Sequence, residues 1–195
     1  KEDWDVLLSN YTESVSIESV SFEKVGHLVN NGFVIGVFVG RTEYGPRALG
    51  NRSIICDPSF KNMKDILNQK VKQREWYRPF APVVRLEDVS KYFEWEGDSR
   101  WMSFCPQVKE EWKEKLVSIT HVDGTARVQT VTKEQNEFLY NLITEFEKIT
   151  GVGVLLNTSF NVDGRPILST VKDALQVFNS TQMDCLLIED FYFRK

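Results

Sequence analysis

The stretch from Phe33 to Ser53 admits few folds. Phe33 to Val39 is apolar on both faces, as a strand in the middle of an α/β sheet is. It opens into Gly40-Arg41-Thr42-Glu43-Tyr44-Gly45-Pro46-Arg47-Ala48-Leu49-Gly50-Asn51-Arg52-Ser53, which holds three glycines, a proline and three arginines. Neither a helix nor a continuing strand tolerates that glycine and proline content. Glycine lets backbone come close to a ligand, and each guanidinium presents planar donors matched to carboxylate or phosphate. Two readings stand. The stretch is an anion-binding loop on the end of a core strand, or a tight connection whose arginines pair with carboxylates such as Glu43.

The rest of the chain supplies elements around this loop. Residues 1–15 are polar and mixed and read as a linker or lead-in, with one α/β domain over 16–195. Between Ser16 and Asn30, Ile17, Val20, Val25, Leu28 and Val29 share one helical face, and Asn30-Asn31-Gly32 stops the helix. Ser53 to Cys56 reads as a short strand and Asn62 to Leu67 as a helix. A second unusual stretch follows, Lys72-Gln73-Arg74-Glu75-Trp76-Tyr77-Arg78-Pro79-Phe80-Ala81-Pro82, whose prolines forbid a continuing helix. Its cations and aromatics either stack a base and contact phosphates, or form an amphipathic helix end with solvated charges.

Asp88 to Trp95 is expected to be helical and Trp101 to Val108 a strand. Asp123-Gly124 signals a turn, and the alternation over Ala126 to Val131 places Arg127 and Gln129 on one strand face. His121, just before the turn, is either a base or a hydrogen-bonding scaffold residue. Glu134 to Thr150 carries the clearest helical stripe: Phe138, Leu139, Leu142, Ile143, Phe146 and Ile149. Val152 to Leu156 is a buried strand that opens into a third loop, Asn157-Thr158-Ser159-Phe160-Asn161-Val162-Asp163-Gly164-Arg165-Pro166. That loop is an anion nest or a cluster of Asx turns. Ser169-Thr170 caps a helix over Val171 to Asn179, Cys185 to Ile188 is a final strand, and Phe191 to Lys195 a short tail.

Composition limits the function classes. With 195 residues and a formal charge of -4, the chain has enough length for a full core and too little net cation for broad nucleic-acid binding. Three cysteines, odd in number and without CxxC spacing, indicate a reducing, cytoplasmic setting, and all three are expected in the core. Only two histidines are present, and no ligand spacing argues for a protein-bound metal. No run approaches the ~18 apolar residues of a membrane span. The chain does not begin with methionine and reads as a piece of a longer protein.

Three strands, each opening into a Gly-, Arg- or hydroxyl-bearing loop, suit an open sheet that gathers such loops at one edge. Arg41, Arg47, Arg52, Lys72, Arg74, Arg78 and Arg127, with Asn157 and Ser159, exceed what Glu43, Glu75 and Asp123 neutralise. An unpaired buried charge costs several kcal/mol, so a small ligand with one or more phosphates fits the balance. Neither GxxxxGK[ST] nor GxGxxG occurs.

Four segments together carry a resemblance. They are the Gly40–Ser53 loop, Lys72-x-Arg74-Glu75-x-x-Arg78-Pro79-Phe80-Ala81-Pro82, His121-Val122-Asp123-Gly124-Thr125-Ala126-Arg127-x-Gln129-Thr130-Val131, and Leu156-Asn157-Thr158-Ser159-Phe160-Asn161. In this order the chain resembles the C-terminal domain of nodulation-type O-carbamoyltransferases over about residues 20 to 195. The resemblance implies a YrdC-like open twisted mixed sheet with flanking helices. It implies a domain that binds carbamoyl phosphate and ATP, with Mg2+ on the nucleotide, and forms carbamoyl-adenylate. An N-terminal actin-like ATPase domain, absent from this chain, would then pass the carbamoyl group to a hydroxyl acceptor.

Carried over by the same resemblance, Arg47, Lys72, Arg78, Arg127 and Ser159 hold the phosphates, with Arg47 and Lys72 acting in catalysis. Asn157 and Ser159 orient the carbamoyl amide or a phosphate oxygen. Arg41, Arg52 and Arg74 stand behind them, with Arg41 paired to Glu43. Arg165 departs from the family pattern, where an acidic residue is expected. Two alternatives from other classes stay open: a nucleotide- or tRNA-associated binding module without catalysis, and an interaction domain whose loops contact only a partner domain.

Overall fold

The computed structural model describes residues 16–19, 21–162 and 164–195. The readings placed on residues 1–15, Val20 and Asp163 lie outside the described residues. Among those described, the chain forms β1 (Ser16–Ser19), α1 (Phe22–Asn30), β2 (Ile35–Phe38) and β3 (Arg52–Cys56). Then come α2 (Met63–Asp65), which runs on as a π-helix over Ile66–Lys72, β4 (Ala81–Arg85), α3 (Val89–Tyr92) and β5 (Gln129–Val131). The chain closes with α4 (Glu137–Thr150), β6 (Val154–Ser159), α5 (Val171–Ser180), β7 (Cys185–Ile188) and β8 (Phe191–Arg194). The strands make one mixed open sheet in the order β1-β8-β7-β2-β3-β6-β4-β5. Two pairs, β2 with β7 and β4 with β5, are parallel.

Both faces of the sheet are covered, which explains why β2 and β7 read as unbroken apolar runs. On one face α1 and α4 bury Val25, Leu28, Val29, Leu139, Leu142, Ile143 and Phe146 against Val37, Ile55, Leu155 and Leu187. On the other, α5 and the π-helix pack Leu175, Phe178, Leu67 and Val71 against Ile54, Leu156 and Leu186. Each fully buried side chain of this kind contributes about 1.5–3 kcal/mol. The caps set the helix ends. Asn136 accepts a hydrogen bond from the Leu139 amide at 2.8 Å, so α4 starts at Glu137 and not at Glu134. Thr170 and Asp173 form a reciprocal capping box on α5.

Several sequence expectations are corrected. Ser16–Ser19 is a strand, because β8 offers it an antiparallel edge, and the helix begins only after the cap at Ser21. The expected tail, Phe191–Arg194, is therefore a ladder strand between β1 and β7. Trp101–Val108 is not a strand. It makes isolated bridges from Phe104 to Val128 and from Gln107 to Thr125, interrupted by Pro106, which has no N–H to donate. β4 was hidden by Pro79 and Pro82. Pro82 pairs with Leu156 in the β6 ladder and precedes the β5 ladder, which starts at Val83. Cys56 and Cys185 are buried and their thiols are pushed up, Cys185 to about 11. Cys105, on the bridged segment, is exposed and not in the core.

Candidate functional site

The sheet register brings the three loops together. Asn157 pairs with Ile55 of β3 and Ala81 of β4, so the end of β6 lies between the starts of those strands. Gln129 pairs with Val83, which adds the start of β5 to the same edge. The Gly/Arg loop, the segment from Gln73 to Phe80, the approach to β5 and the Asn157–Asn161 turn all leave the sheet there.

The Gly/Arg loop is braced mostly by its own backbone. Glu43 Oε1 accepts the amides of Leu49 at 2.8 Å and Asn51 at 2.6 Å. Among the described residues Glu43 forms no ion pair with Arg41, so that expected pairing is replaced by a backbone clamp. Asn51 donates to the Arg41 carbonyl and accepts from Asn136, which ties the loop to the start of α4. Gly50 has φ +125°, and a Cβ there would lie 2.6 Å from Asn136 Nδ2 and 2.9 Å from Leu139 Cδ2. No other residue suits that approach. Arg52 turns inward: it donates to the carbonyls of Val39, Gly40 and Asn51 and lies 3.6 Å from the Phe38 ring centroid. It is a brace for the loop.

Arg47 is thereby left at the outer turn of the loop, on the wall of a cleft of about 80 Å³. Arg127, Asn157, Thr158 and Ser159 line the same cleft, as do Arg74 and the apolar Phe80 and Met102. No carboxylate lines it. Arg127 has neither a hydrogen bond nor an ion pair among the described residues, and its Nε is buried without a partner. Burial, and then the nearby Arg47 charge, lower the Arg127 pKa. Asn157 is 1% exposed, and its Oδ1 is also buried and unpaired. A half-buried Arg127 guanidinium and an exposed Arg47 of like sign, beside orphaned polar atoms, make an arrangement that can take an anion.

Lys72 lies one layer behind this wall. The wide π-helical turn carries it beneath the loop, where Nζ donates to Ser159 O at 2.6 Å, Ser159 Oγ at 3.1 Å and Asn161 Oδ1 at 2.6 Å. Lys72 is 3% exposed, so its charge is felt in the cleft through Ser159. Arg78 stands outside on the surface, 3.4 Å from Glu75 Oε2. Arg74, placed in the background by the sequence reading, is on the cleft wall. Asn68 accepts its Nε at 2.8 Å, and its guanidinium lies 4.8 Å from the Phe80 ring centroid. Asn68 also donates to the carbonyls of Trp76 and Arg78 and so holds that whole segment. The roles of Asn68, Gln129 and Asn161 were missed. Buried amides give no sequence signal beyond being polar residues inside apolar runs.

Two other features adjoin the cleft. A cavity of about 240 Å³ on the other side of Leu49 and Gln129 is walled by Trp101, Val131 and Asn136, with Arg100 and Glu43 at its edges. Trp101 is 61% exposed and lies under Arg100. His121 is not on either wall. Its Nδ1 lies 2.9 Å from Thr125 Oγ1, and burial lowers its pKa, helped by the charges of Arg127 and Lys64 and opposed by Asp123. It serves the turn as a scaffold. Among the described residues no three or more His, Cys, Asp or Glu side chains gather as a metal site, and no helix is long and apolar enough to cross a membrane.

Comparisons with known proteins agree with this arrangement. The nodulation protein NolO of Bradyrhizobium diazoefficiens is 48% identical over 168 residues, covering 85% of this chain and 31% of NolO. The 3'-hydroxymethylcephem-O-carbamoyltransferase of Amycolatopsis lactamdurans is 38% identical over 164 residues, covering 84% of this chain and 31% of that enzyme. The chain thus spans about a third of the length of the curated relatives it matches. Among solved structures, full-length HypF in its phosphate- and nucleotide-bound form superposes with a TM-score of 0.61 at 19% identity, over 87% of this chain and 25% of HypF. Escherichia coli YciO gives 0.53 at 14% identity, over 87% and 84% of the two chains. These likenesses show a YrdC-like fold. The family described as carbamoyltransferase C-terminus matches residues 26–195, and with the motifs in family order and the loops at one sheet edge, the chain belongs to the carbamoyltransferase C-terminal family.

Proposed function

We propose that this domain binds carbamoyl phosphate and ATP in the Arg47–Arg127 cleft and forms carbamoyl-adenylate, which a separate N-terminal domain of the full-length protein passes to a hydroxyl acceptor. The observation that carries this is the cleft itself: guanidinium groups from two loops, no carboxylate, and buried atoms left without partners. Holding a half-buried cation beside a second of like sign is unfavourable until an anion joins them, and phosphate is the anion whose oxygens match bidentate guanidinium donors. The relatives' printed activity, O-carbamoyl transfer in the cephem enzyme, fits a phosphate ligand that carries a carbamoyl group.

In this reading, water splits carbamoyl phosphate into carbamate and phosphate. A carbamate oxygen then attacks the α-phosphorus of ATP, the bond to the bridging oxygen breaks, and pyrophosphate leaves. Arg47 and Arg127 hold the oxygens on which negative charge builds, and Lys72 adds its field from behind Ser159. A cleft of about 80 Å³ takes one phosphate-sized group. The rest of the nucleotide needs adjoining room, and the cavity beside Trp101 offers an exposed aromatic face. With no carboxylate on the wall, the cleft does not suit a protein-held Mg2+. Any Mg2+ arrives on the nucleotide, and no step is assigned to it.

The test measures thermal unfolding of this chain with carbamoyl phosphate and ATP, separately and together, alongside pyrophosphate release. Each ligand is expected to raise Tm, and release to require carbamoyl phosphate. Absence of both effects removes the proposal.

A further inference from the structure

Two buried atoms without partners lie on one face of the turn ahead of β5, and they are complementary. Gln107 bridges to Thr125 and Phe104 to Val128, three residues apart on both segments, so no bulge intervenes. Thr125 and Arg127 therefore project from the same face of one extended segment. His121 lies across the turn from Thr125: its amide donates to Thr125 O at 2.8 Å, and its Nδ1 is 2.9 Å from Thr125 Oγ1. That makes His121 and Arg127 diagonal neighbours, a spacing that long side chains bridge. Arg127 Nε, a donor, and His121 Nε2 are both buried without a hydrogen bond.

The contacts of Thr125 decide what His121 Nε2 is. The Thr125 hydroxyl donates to Asp123 Oδ1 at 2.8 Å, because an ionised carboxylate only accepts. With its one proton spent, Thr125 Oγ1 accepts from His121. The ring proton is thus on Nδ1, and Nε2 is an acceptor. We infer that His121 is the positioning residue for Arg127: when an anion draws the two terminal guanidinium nitrogens into the cleft, Nε–H turns back to His121 Nε2, and the ring fixes the guanidinium for end-on, bidentate contact. Without an anion both orphans carry the cost of burial; with one, both are satisfied. This rests on the cleft taking an anionic ligand and goes beyond it, because it gives a part to a residue that lines neither cavity. The arrangement needs a neutral ring. Burial favours the neutral form, opposed by Asp123 and supported by Arg127 and by Lys64 of α2. Arg127 in turn has Arg47 and Cys105 as its neighbours.

Dissociation constants of this chain for carbamoyl phosphate, measured against pH in unaltered protein, His121→Asn and His121→Gln, test the assignment. An Asn amide replaces Nδ1 toward Thr125 but reaches no further, whereas a Gln amide oxygen stands where Nε2 stands. Near neutral pH, His121→Asn is expected to bind about tenfold more weakly with unliganded Tm unchanged, and His121→Gln to stay within about threefold of unaltered protein. The ligand titrates alike with each protein, so the ratio of the unaltered to the His121→Asn constant isolates the ring. The advantage of the unaltered protein should shrink as pH falls below the ordinary histidine value of 6.5 and the ring protonates. An advantage that holds or grows in acid would mean that the ring acts as a charge, and overturns the inference. So does full affinity in His121→Asn, or equal weakness of both variants with a lowered unliganded Tm, which would confine His121 to the turn. If carbamoyl phosphate does not bind but inorganic phosphate does, the ligand reading falls and the same series read with inorganic phosphate still decides the role of His121. If neither binds, both fall.

Discussion

Arg85 and Arg127 sit at opposite ends of the neighbouring strands β4 and β5 and have opposite fates. Arg85, at the end of β4, donates Nε to Asp88 at 2.6 Å and NH1 to Thr144 at 3.0 Å, while NH2 pairs with Glu147. Burial works against its charge, but the hydrogen bonds and attraction of Asp88 and Glu147 outweigh it and hold its pKa above the ordinary value. Arg127, just ahead of β5, has no carboxylate, and burial and then Arg47 lower its pKa. The same residue type is complete in one place and incomplete in the other. A paired guanidinium fastens elements together; an unpaired one beside a second cation suits, under the proposed function, an anion the protein does not supply.

The comparison is broken most sharply by substituting each arginine with methionine, which keeps length and removes charge. Arg127→Met is expected to cut carbamoyl-phosphate-dependent pyrophosphate release by about a hundredfold or more. It should leave Tm without ligand unchanged or slightly raised, since no ion pair is lost. Kinetics and unliganded melting on the same preparation check this, and a large fall in unliganded Tm would show that Arg127 is structural after all.

Arg85→Met should do the reverse. It strips Glu147 and Asp88 of their shared donor and is expected to lower stability by about 1–3 kcal/mol. Ligand affinity should stay within about twofold, since the cleft is at the other end of β4. Urea unfolding gives the first figure and titration of carbamoyl phosphate the second.

The smallest effect is in acid. Burial alone would raise the Glu147 carboxyl, but hydrogen bonds from Lys91 and Arg85 and their charges hold it below the usual carboxylate range. A carboxyl depressed in the folded state contributes stability that is complete above its unfolded value, about 4.3, and is lost as pH falls through the folded one. Melting from pH 6 down to pH 3 should therefore fall less steeply in Arg85→Met than in the unaltered protein. Parallel curves would mean that Glu147 is held down by Lys91 alone.

Much of this molecule was legible beforehand. The apolar runs at β2 and β7, the Ile54–Cys56 half of β3 and the stripe of α4 marked strands and a helix because burial on two faces, or on one, leaves a pattern in the sequence. β1, β4 and β8 were not legible. β8 forms on the edge of β7 and in turn gives β1 an edge, and β4 is disguised by Pro79 and Pro82, which read as breakers of regular structure. The Gly40–Ser53 loop declared itself by composition, and Arg47 and Arg127 were named from their motifs. A hydrogen-bonded relay from Ala48 through Asn157 and Gln129 to Leu49 was invisible, since its members lie 80 and 109 positions apart in the longest links.

By itself, then, the sequence determined the family, the strands that bury both faces, and which loops carry the cations, because local composition and periodicity are properties of contiguous residues. Only the tertiary structure decided which cations face the cleft. It set Arg74 on the wall, Lys72 behind Ser159, Arg52 inward as a brace and Arg78 outside, through the register of β6 between β3 and β4. Whether a charge is neutralised, solvated or left waiting depends on what lies within a few ångströms of it, and that is settled by packing between distant segments.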